Sequence, residues 1–196
     1  MRKIILASKS KQREKLLKII GLDFEIEKSD YLEDMTEKIP AYKLARKLAF
    51  GKAQDIAQKH KDAIVIGADT FLILGKELLG KPHTPQKAKK MLRKISGKKH
   101  KIITGVAIID TKKNKVFTDC EITEIWFKKL SEKEIEKYIR TSEPLDKAGS
   151  YTIQGIGAIF VKKINGNFDS AVGLPIGKIY KYLLKLGVDV LESKDC

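Results

Sequence analysis

The chain has 196 residues, of which 42% are hydrophobic and 33% are charged. This length and apolar fraction are typical of a globular domain with a sizeable core, and they exclude a wholly disordered chain. Forty Lys and Arg residues against twenty-five Asp and Glu residues give a formal net charge of +15, which favours anionic partners but is equally what a lysine-rich solvated surface gives.

Cysteine content and hydropathy exclude further classes of protein. Cys120 and Cys196 are too few for a disulfide-rich secreted domain, and neither has a metal-ligand spacing. The apolar run Ile4–Ala7 is too short for a signal peptide, and no stretch approaches the roughly 20 apolar residues of a membrane span. We therefore expect a cytoplasmic protein without a membrane segment. The histidines are scattered among basic residues and are expected at the surface: His60, His83 and His100.

The chain begins with a predicted strand and two predicted helices. Lys3–Ala7 is a short apolar run, typical of a buried strand. Ser10 is placed to cap a following helix, which Gly21 ends. Pro40 opens a second helix, because its fixed φ suits the first helical turn. The apolar stripe of this second helix is Leu44, Leu48, Ala49 and Ile56.

The next segment predicts a long extended region. Ala63–Ala68 is a second buried strand, with Asp69 and Thr70 at its C-terminal end, and Phe71–Leu74 continues extended into a hairpin turn at Gly75-Lys76. The remaining predicted elements are a hairpin strand Glu77–Leu79, a helix from Thr84-Pro85 to Gly97, strands Lys101–Ile109, Val116–Phe127 and Ile156–Ile164, a helix with a capping box at Ser131–Glu134, and a last helix from Pro175 to Gly187.

This order of elements predicts the fold class. Strands interleaved with helices predict an α/β fold, and the long central pair of strands predicts a mixed rather than a purely parallel sheet. No linker divides residues 1–196, so we expect a single domain, in which residues 98–142 are the segment able to form a second lobe.

The first candidate binding site follows the first strand. Ser8, Ser10, Lys11 and Arg13 surround the start of the first helix. Unpaired N–H groups at a helix N-terminus, together with hydroxyls and cations, suit phosphate groups. The simpler alternative is an N-cap with a basic first turn, although cations there oppose the helix dipole.

The second candidate is Asp69, which follows the apolar run Ile64–Ile66. A buried carboxylate needs a divalent metal or a lysine as partner, and Lys52 and Lys81 are the natural lysines. Gly51 precedes Lys52 in mid-helix, where glycine costs about 1 kcal/mol relative to alanine, so it indicates close approach of another backbone or a ligand. A turn Asp bonded to its own backbone and solvated lysines are the simpler alternatives.

Two further segments carry candidate residues. Asp30, Glu33 and Asp34 form an acidic cluster, which can hold Mg²⁺ through oxygen ligands or can be a solvated loop, the interpretation we favour for Asp30 and Asp34. Residues 143–155 are polar and without helical or strand period, as in many binding loops. Gln154 in this segment offers both a donor and an acceptor to a base edge.

Taken in order, these segments resemble the Maf family of nucleotide pyrophosphatases. Each matching piece is weak alone, but their joint order and spacing are specific and span nearly the whole chain. The pieces are Leu6-Ala7-Ser8-x-Ser10 with Arg13 and Leu16-Leu17; Lys52-Ala53; Gly67-Ala68-Asp69-Thr70; Gly80-Lys81-Pro82; Met91-Leu92 to Ser96-Gly97; Glu143-Pro144-Leu145-Asp146-Lys147-Ala148-Gly149; Ile153-Gln154-Gly155; and Val172-Gly173-Leu174-Pro175.

The resemblance implies an elongated mixed sheet flanked by helices, in two lobes around a central cleft, similar to inosine triphosphate pyrophosphatases. It implies hydrolysis of a nucleoside triphosphate between the α and β phosphates, giving the monophosphate and pyrophosphate. It also implies a divalent cation, foremost Mg²⁺ with Mn²⁺ or Co²⁺ as alternatives, and a homodimer. Removal of non-standard nucleotides is an expectation at the level of the family.

Roles for individual residues also come from the resemblance. Asp69 corresponds to the catalytic acid/base next to the metal, and Glu33 to its acidic partner. Thr70 and Gln154 fall at substrate-selecting positions, and Ala-Asp-Thr resembles the branch that prefers dTTP and UTP. The groups that bind the substrate, mainly its phosphates, correspond to Ser8, Ser10, Arg13, Lys52 and Lys81.

The chain departs from the family pattern at two adjacent positions, where Lys11 replaces the proline and Gln12 replaces the first arginine. Where the family has Ser-Pro-Arg-Arg, this chain has Ser10-Lys11-Gln12-Arg13. Gln12 can form hydrogen bonds but cannot form the bidentate ion pair of an arginine, so CTP and modified pyrimidine nucleotides stay open as substrates.

An alternative function is a basic nucleic-acid-binding module with a vestigial triphosphate site. The small number of aromatic residues counts against it, and a steep loss of affinity with salt would distinguish it. The family's historical name, septum formation inhibitor, leaves a regulatory role in cell division open as well.

Overall fold

The computed structural model describes residues 2–192 of the chain. These residues contain six helices and seven strands, with 3₁₀ turns at Glu143–Asp146, Ala148–Ser150 and Ile156–Phe160. The strands are β1 Lys3–Leu6, β2 Glu25–Ile26, β3 Ala63–Leu74, β4 Glu77–Leu79, β5 Lys99–Asp110, β6 Lys115–Phe127 and β7 Val161–Asn165. The helices are α1 Lys11–Ile19, α2 Ala41–Ala57, α3 Pro85–Ile95, α4 Glu132–Arg140, α5 Phe168–Val172 and α6 Ile176–Lys185.

The strands form one mixed sheet in the order β2-β1-β3-β5-β6-β7, and β4 pairs with β3. β1 is parallel to β2 and β3, with Ile4 opposite Ile64 and Leu6 opposite Ile66. β4 is antiparallel to β3, and β7 is antiparallel to β6. The mixed α/β class predicted from the sequence is confirmed.

Two compact units divide the described residues. The first contains residues 2–69, 104–121 and 173–192, and the second contains residues 70–103 and 122–172. The boundary falls within β3, β5 and β6, because these long strands contribute residues to both units. The second unit therefore differs from the segment 98–142 that the sequence suggested as a second lobe.

The core of the first unit forms where α2 packs on the parallel strands. Ala49, Ala53 and Ile56 of α2 are fully buried in the same cluster as Ile5 of β1 and Val65 of β3. The apolar stripe predicted for this helix is confirmed, since Leu44, Leu48, Ala49 and Ile56 are all buried.

The core of the second unit is rich in aromatic rings, and it contains a histidine expected at the surface. His100 is only 2% exposed, because alternation along β5 puts Lys99 and Lys101 outside and His100 inside. Its Nε2 lies 2.6 Å from the buried Tyr151 hydroxyl, and its ring is edge-on to Phe127. The expectation for His100 was wrong, because single-sequence context does not reveal which strand face is buried.

Most predictions that depend on local signals are confirmed. Ser10 caps α1, Thr84 caps α3 with Pro85 in the first turn, and Ser131 and Glu134 form the capping box of α4. β4 follows the predicted hairpin turn. The sequence did not predict the short strand β2 or the single-turn helix α5, because both are too short to show a periodic pattern of apolar residues.

The predicted strand Ile156–Ile164 is only half correct. Residues 156–160 form a 3₁₀ turn, and the strand begins at Val161. The backbone N–H groups of Ile156 and Gly157 donate to the Glu143 carboxylate instead of to a neighbouring strand, each at 2.9 Å. Within residues 2–192, no helix is long and apolar enough to cross a membrane.

Burial of His100 makes stability depend on pH. Burial lowers the pKa of His100 from 6.5 to about 4. The unfolded chain takes up a proton near pH 6.5 while the folded chain does not, so stability is full above that pH and falls as pH drops toward 4. The free energy of unfolding should fall by about 3 kcal/mol over this range through His100, measured by chemical denaturation.

A matched apolar pair provides the control. The double variant His100→Phe/Tyr151→Phe keeps the ring contacts and removes both polar partners together, which is close to neutral for stability. Between pH 6.5 and 4, the free energy of unfolding of this variant should fall by about 3 kcal/mol less than that of the wild type. An equal loss in both proteins would show that His100 does not titrate in this way.

Candidate active site

The centre of the candidate site is the ammonium group of Lys52, which bridges two carboxylates. Its Nζ lies 2.5 Å from Asp69 Oδ1 and 2.6 Å from Glu33 Oε1. The side chains of Lys52 and Asp69 are 13% and 7% exposed, whereas that of Glu33 is 41% exposed. The buried Asp69 therefore has the lysine partner that its sequence context required, and the exposed Glu33 gives the cluster a side open to solvent.

The approach of α2 to β3 explains why Lys52 reaches Asp69. A Cβ atom at Gly67 would overlap the Ala49 carbonyl oxygen and would lie 2.8 Å from Ala53. Gly67 and Asp69 share one face of β3, because side chains alternate along a strand. Lys52, next to Ala53, therefore projects from the helix close to Asp69. Asp69 lies inside the 12-residue strand β3 and not at a strand end, so the position expected from the sequence was wrong.

The turn from β1 into α1 forms a second cluster in the same unit. The Ser8 hydroxyl oxygen accepts hydrogen bonds from the Ser10 N–H and from Arg13 Nη1, both at 3.2 Å. Arg13 Nε also donates to the Gly173 carbonyl at 2.9 Å. The Ser10 hydroxyl accepts from the Arg13 N–H as N-cap and lies 3.3 Å from Gln12 Oε1. Hydroxyls, a guanidinium and a helix N-terminus thus converge here, which is a combination suited to anions.

The two clusters act on each other electrostatically. Burial lowers the pKa of the Arg13 guanidinium, while the negative charges of Asp69 and Glu33 oppose that shift. The structure therefore brings the Arg13 guanidinium, which donates to the Ser8 hydroxyl, into the field of Asp69 and Glu33. The two cations and two carboxylates formally balance, which lowers the cost of burying the Lys52 ammonium and the Asp69 carboxylate.

Glu33 is held by a segment whose anchors the sequence did not reveal. A Cβ atom at Gly51 would overlap the ring of Tyr31, so the close approach inferred for this glycine involves an aromatic side chain, and not a backbone or a ligand. The Asp55 carboxylate accepts a hydrogen bond from the Asp30 N–H at 2.9 Å. No local motif marks either contact, because Tyr31 and Gly51, like Asp30 and Asp55, are 20 or more positions apart in the sequence.

The two other acidic residues of this segment lie at the surface. Asp30 and Asp34 are exposed, as expected for a solvated loop. The Asp34 carboxylate accepts from the Thr36 hydroxyl and N–H, and these hydrogen bonds lower the pKa of Asp34. Glu33 is therefore the member of the acidic cluster that faces Lys52.

Three predicted site residues belong to the second unit. Thr70 follows Asp69 in β3 and is half-buried, while Lys81 is exposed between β4 and α3. The segment that bears Lys81 is hydrogen-bonded to the predicted binding loop, since the Gly149 N–H donates to the Gly80 carbonyl at 3.0 Å. The side chain of Gln154 is exposed.

Glu143 organises the turn next to Gln154, and sequence reasoning assigned it no role. Its carboxylate accepts from the Tyr138 hydroxyl at 2.7 Å as well as from the N–H groups of Ile156 and Gly157. These hydrogen bonds lower the pKa of Glu143 although burial opposes them. The irregular segment predicted from the sequence is thus ordered around one carboxylate.

Asp69 and Glu33 are the residues suited to a divalent cation. Among residues 2–192, no three His, Cys, Asp or Glu side chains group closely enough to hold an ion. Mg²⁺ sites commonly use only one or two carboxylates together with phosphate oxygens of a bound substrate. The carboxylates of Asp69 and Glu33, drawn together on Lys52, fit that type of site.

Nearly the whole chain is similar to known proteins. Residues 3–186 match the family described as Maf-like protein. A dTTP/UTP pyrophosphatase of Desulforamulus reducens is 44% identical over 191 residues, covering 97% of this chain and 100% of that protein. A dTTP/UTP pyrophosphatase of Methanosarcina mazei is 40% identical over 194 residues, covering 98% of each.

Among solved structures, the Ham1 protein of Staphylococcus aureus is similar with a TM-score of 0.46 and 14% identity, covering 64% of this chain and 72% of that one. The match over residues 3–186 and the two relatives of nearly equal length decide the classification. The chain belongs to the Maf-like protein family.

Proposed function

We propose that this protein hydrolyses dTTP and UTP between the α and β phosphates, releasing the nucleoside monophosphate and pyrophosphate. The observation that carries the proposal is the Lys52 ammonium bridging Asp69 and Glu33, whose negative charges also act on the half-buried Arg13. Two relatives, 44% and 40% identical over nearly their whole length, bear the name dTTP/UTP pyrophosphatase, which supports the choice of substrate.

Phosphate binding is the first task of the site. The triphosphate carries several negative charges that repel an attacking oxygen, so cations must surround it. Arg13, Lys52 and the N–H groups at the start of α1 are the groups of the first unit that meet this need. By the resemblance to the Maf family, Lys81 also corresponds to a phosphate-binding residue.

Proton transfer is the second task. Asp69 orients the attacking water and accepts its proton at a carboxylate oxygen. The water oxygen forms a bond to the α-phosphorus while the bond from that phosphorus to the bridging oxygen breaks, and pyrophosphate leaves. A divalent cation held by Asp69 and Glu33, when bound, supplies positive charge to the phosphate oxygens. Lys52 holds the two carboxylates at fixed positions throughout.

The resemblance to the Maf family associates position 12, Thr70 and Gln154, taken one by one, with substrate choice. Gln12 lies in the first turn of α1, where its Oε1 is near the Ser10 hydroxyl. Thr70 and Gln154 offer hydrogen-bonding groups for the edge of a pyrimidine. Because Gln12 is uncharged, its contribution to triphosphate binding is weaker than that of an arginine.

Replacing Asp69 tests the proposed proton acceptor. Asp69→Asn keeps the size of the side chain but removes its charge and basicity, so kcat for pyrophosphate release from dTTP with Mg²⁺ should fall about 10²- to 10⁴-fold. Asp30→Asn, at an exposed carboxylate of the same unit, is the matched control and should keep wild-type turnover. Circular dichroism should show that both variants fold. Activity of Asp69→Asn near that of Asp30→Asn would rule out Asp69 as the base.

A nucleotide panel tests the substrate. Pyrophosphate release from dTTP and UTP should exceed release from CTP, 5-methyl-UTP, pseudo-UTP, 7-methyl-GTP and ITP. No release from any of them, with oligonucleotide binding that weakens steeply with salt, would instead support the nucleic-acid-binding alternative.

Restoring a cation at position 12 tests the role of Gln12. Gln12→Arg should raise kcat/KM for dTTP and UTP about tenfold, since an added ion pair to phosphate is worth ~1.4 kcal/mol or more. Gln58→Arg adds the same charge at an exposed position beyond α2 and should leave kcat/KM unchanged. Equal effects of the two substitutions would assign any gain to overall charge and not to position 12.

A further inference from the structure

The segment of residues 27–37, here called the strap, runs along α2 and carries Glu33. The strap has no helix or strand of its own, so contacts with α2 must fix its course. In order along the strap, Glu27 contacts His60 just beyond the C-terminal end of α2, and the pairs with α2 itself are Asp30 with Asp55, Tyr31 with Gly51, Glu33 with Lys52, and Glu37 with Lys47. The strap therefore crosses the helix from its C-terminal end towards its N-terminal end.

Four of these contacts are polar, and the contact of Tyr31 with Gly51 is the one made by ring carbons. The Tyr31 ring lies so close to the helix backbone that a Cβ atom at Gly51 would overlap three of its carbons. The Tyr31 N–H is also held, because it donates to the Ser29 hydroxyl oxygen at 3.0 Å. Polar contacts between partly exposed side chains, such as Glu27 with His60 and Glu37 with Lys47, restrain a chain weakly, whereas a ring packed on backbone has little room for displacement.

The position of this contact relates it to the candidate site. Gly51 directly precedes Lys52 in α2, and Tyr31 lies two residues before Glu33 in the strap. Fixing Tyr31 on Gly51 therefore leaves a short length of chain between a fixed point and the Glu33 carboxylate. The Glu33 side chain is 41% exposed, so it gains little from burial itself.

We propose that Tyr31, seated on Gly51, is a positioning residue that holds the Glu33 carboxylate against Lys52 and Asp69. This inference rests on the proposed function, in which Glu33 and Asp69 act together. In this proposal Tyr31 affects catalysis through Glu33 and not by contact with the reacting groups. Gly51 contributes by having no side chain where the ring must lie.

The first test compares two replacements of Tyr31. Tyr31→Ala removes the ring and should lower kcat for dTTP about 10- to 100-fold, because small misplacements of catalytic groups have effects of that size. Tyr31→Phe keeps the ring carbons that contact Gly51 and should stay within about twofold of the wild type. Tyr42→Ala removes a half-exposed tyrosine from α2 itself and is the matched control, with turnover unchanged. Wild-type turnover in Tyr31→Ala would overturn the proposal.

The second test separates positioning from general support of the fold. If Tyr31 acts through Glu33, then Tyr31→Ala should cause no further loss of kcat in a Glu33→Gln background. A role in general stability would lower kcat by the same factor in both backgrounds, and that additive result would overturn the proposal.

The third test examines the contact independently of activity. Gly51→Ala should lower Tm in the wild type, because the new methyl group collides with the ring. In the Tyr31→Ala background the same substitution should raise Tm, because alanine favours a helix over glycine. The same sign of the Tm change in both backgrounds would contradict the contact.

A crystal structure of Tyr31→Ala distinguishes the failure of this inference from the failure of the proposed function. The separation of Lys52 Nζ from Glu33 Oε1, 2.6 Å in the wild type, should increase beyond hydrogen-bonding distance. If the wild type releases no pyrophosphate but the pair separates, the proposed function fails and the positioning role stands. If the pair stays intact, the positioning role fails whatever the activity.

Discussion

The ion pairs of Lys52 are the interactions on which the candidate site depends. Moving an ammonium group out of water is costly unless opposite charges and hydrogen bonds replace the lost solvent. Lys52 meets that condition with one carboxylate from β3 and one from the strap. Because both partners are needed, the ammonium ties a regular strand and an irregular segment to the same point of α2.

The charge balance of this cluster bears on its chemistry. Asp69 and Glu33 together carry two negative charges, and Lys52 and Arg13 carry two positive ones, so the cluster is formally neutral. A triphosphate entering such a site brings additional negative charge. The positive charges of Lys52 and Arg13 are already balanced by carboxylates. In the proposed function a divalent cation would restore the balance, which is a physical reason for placing two carboxylates in a site proposed for a polyanion.

The sequence predicted those features that are encoded by neighbouring residues. The caps at Ser10 and Ser131 and the helix start at Thr84 depend on side chains within three positions of the helix start, and each was predicted correctly. The partnership of Asp69 with a lysine was also within reach, because a buried carboxylate needs a cation. Which of two lysines supplies it depends on the distance between α2 and β3.

Features that depend on distant residues escaped prediction. His100 lies among lysines in sequence but among rings in space, because the strand period and not the neighbouring residues decides its burial. The turn at residues 156–160 is set by Glu143, whose role is visible only once three donors surround its carboxylate. The Maf resemblance assigned Glu33 to the site, yet neither resemblance nor pattern indicated what holds Glu33 in place.

Two glycines show how absent side chains set the geometry of the site. At Gly67 of β3 the missing Cβ admits the backbone of α2, and at Gly51 of α2 the missing Cβ admits the ring of Tyr31. The strand, the helix and the strap are therefore layered more closely than ordinary side chains allow. Lys52 lies next to Gly51 in sequence, so its ammonium is within reach of a carboxylate from the layer on either side. A larger residue at Gly67 would press against the backbone of α2, and one at Gly51 would displace the Tyr31 ring, and thus the candidate site depends on positions that have no chemistry of their own.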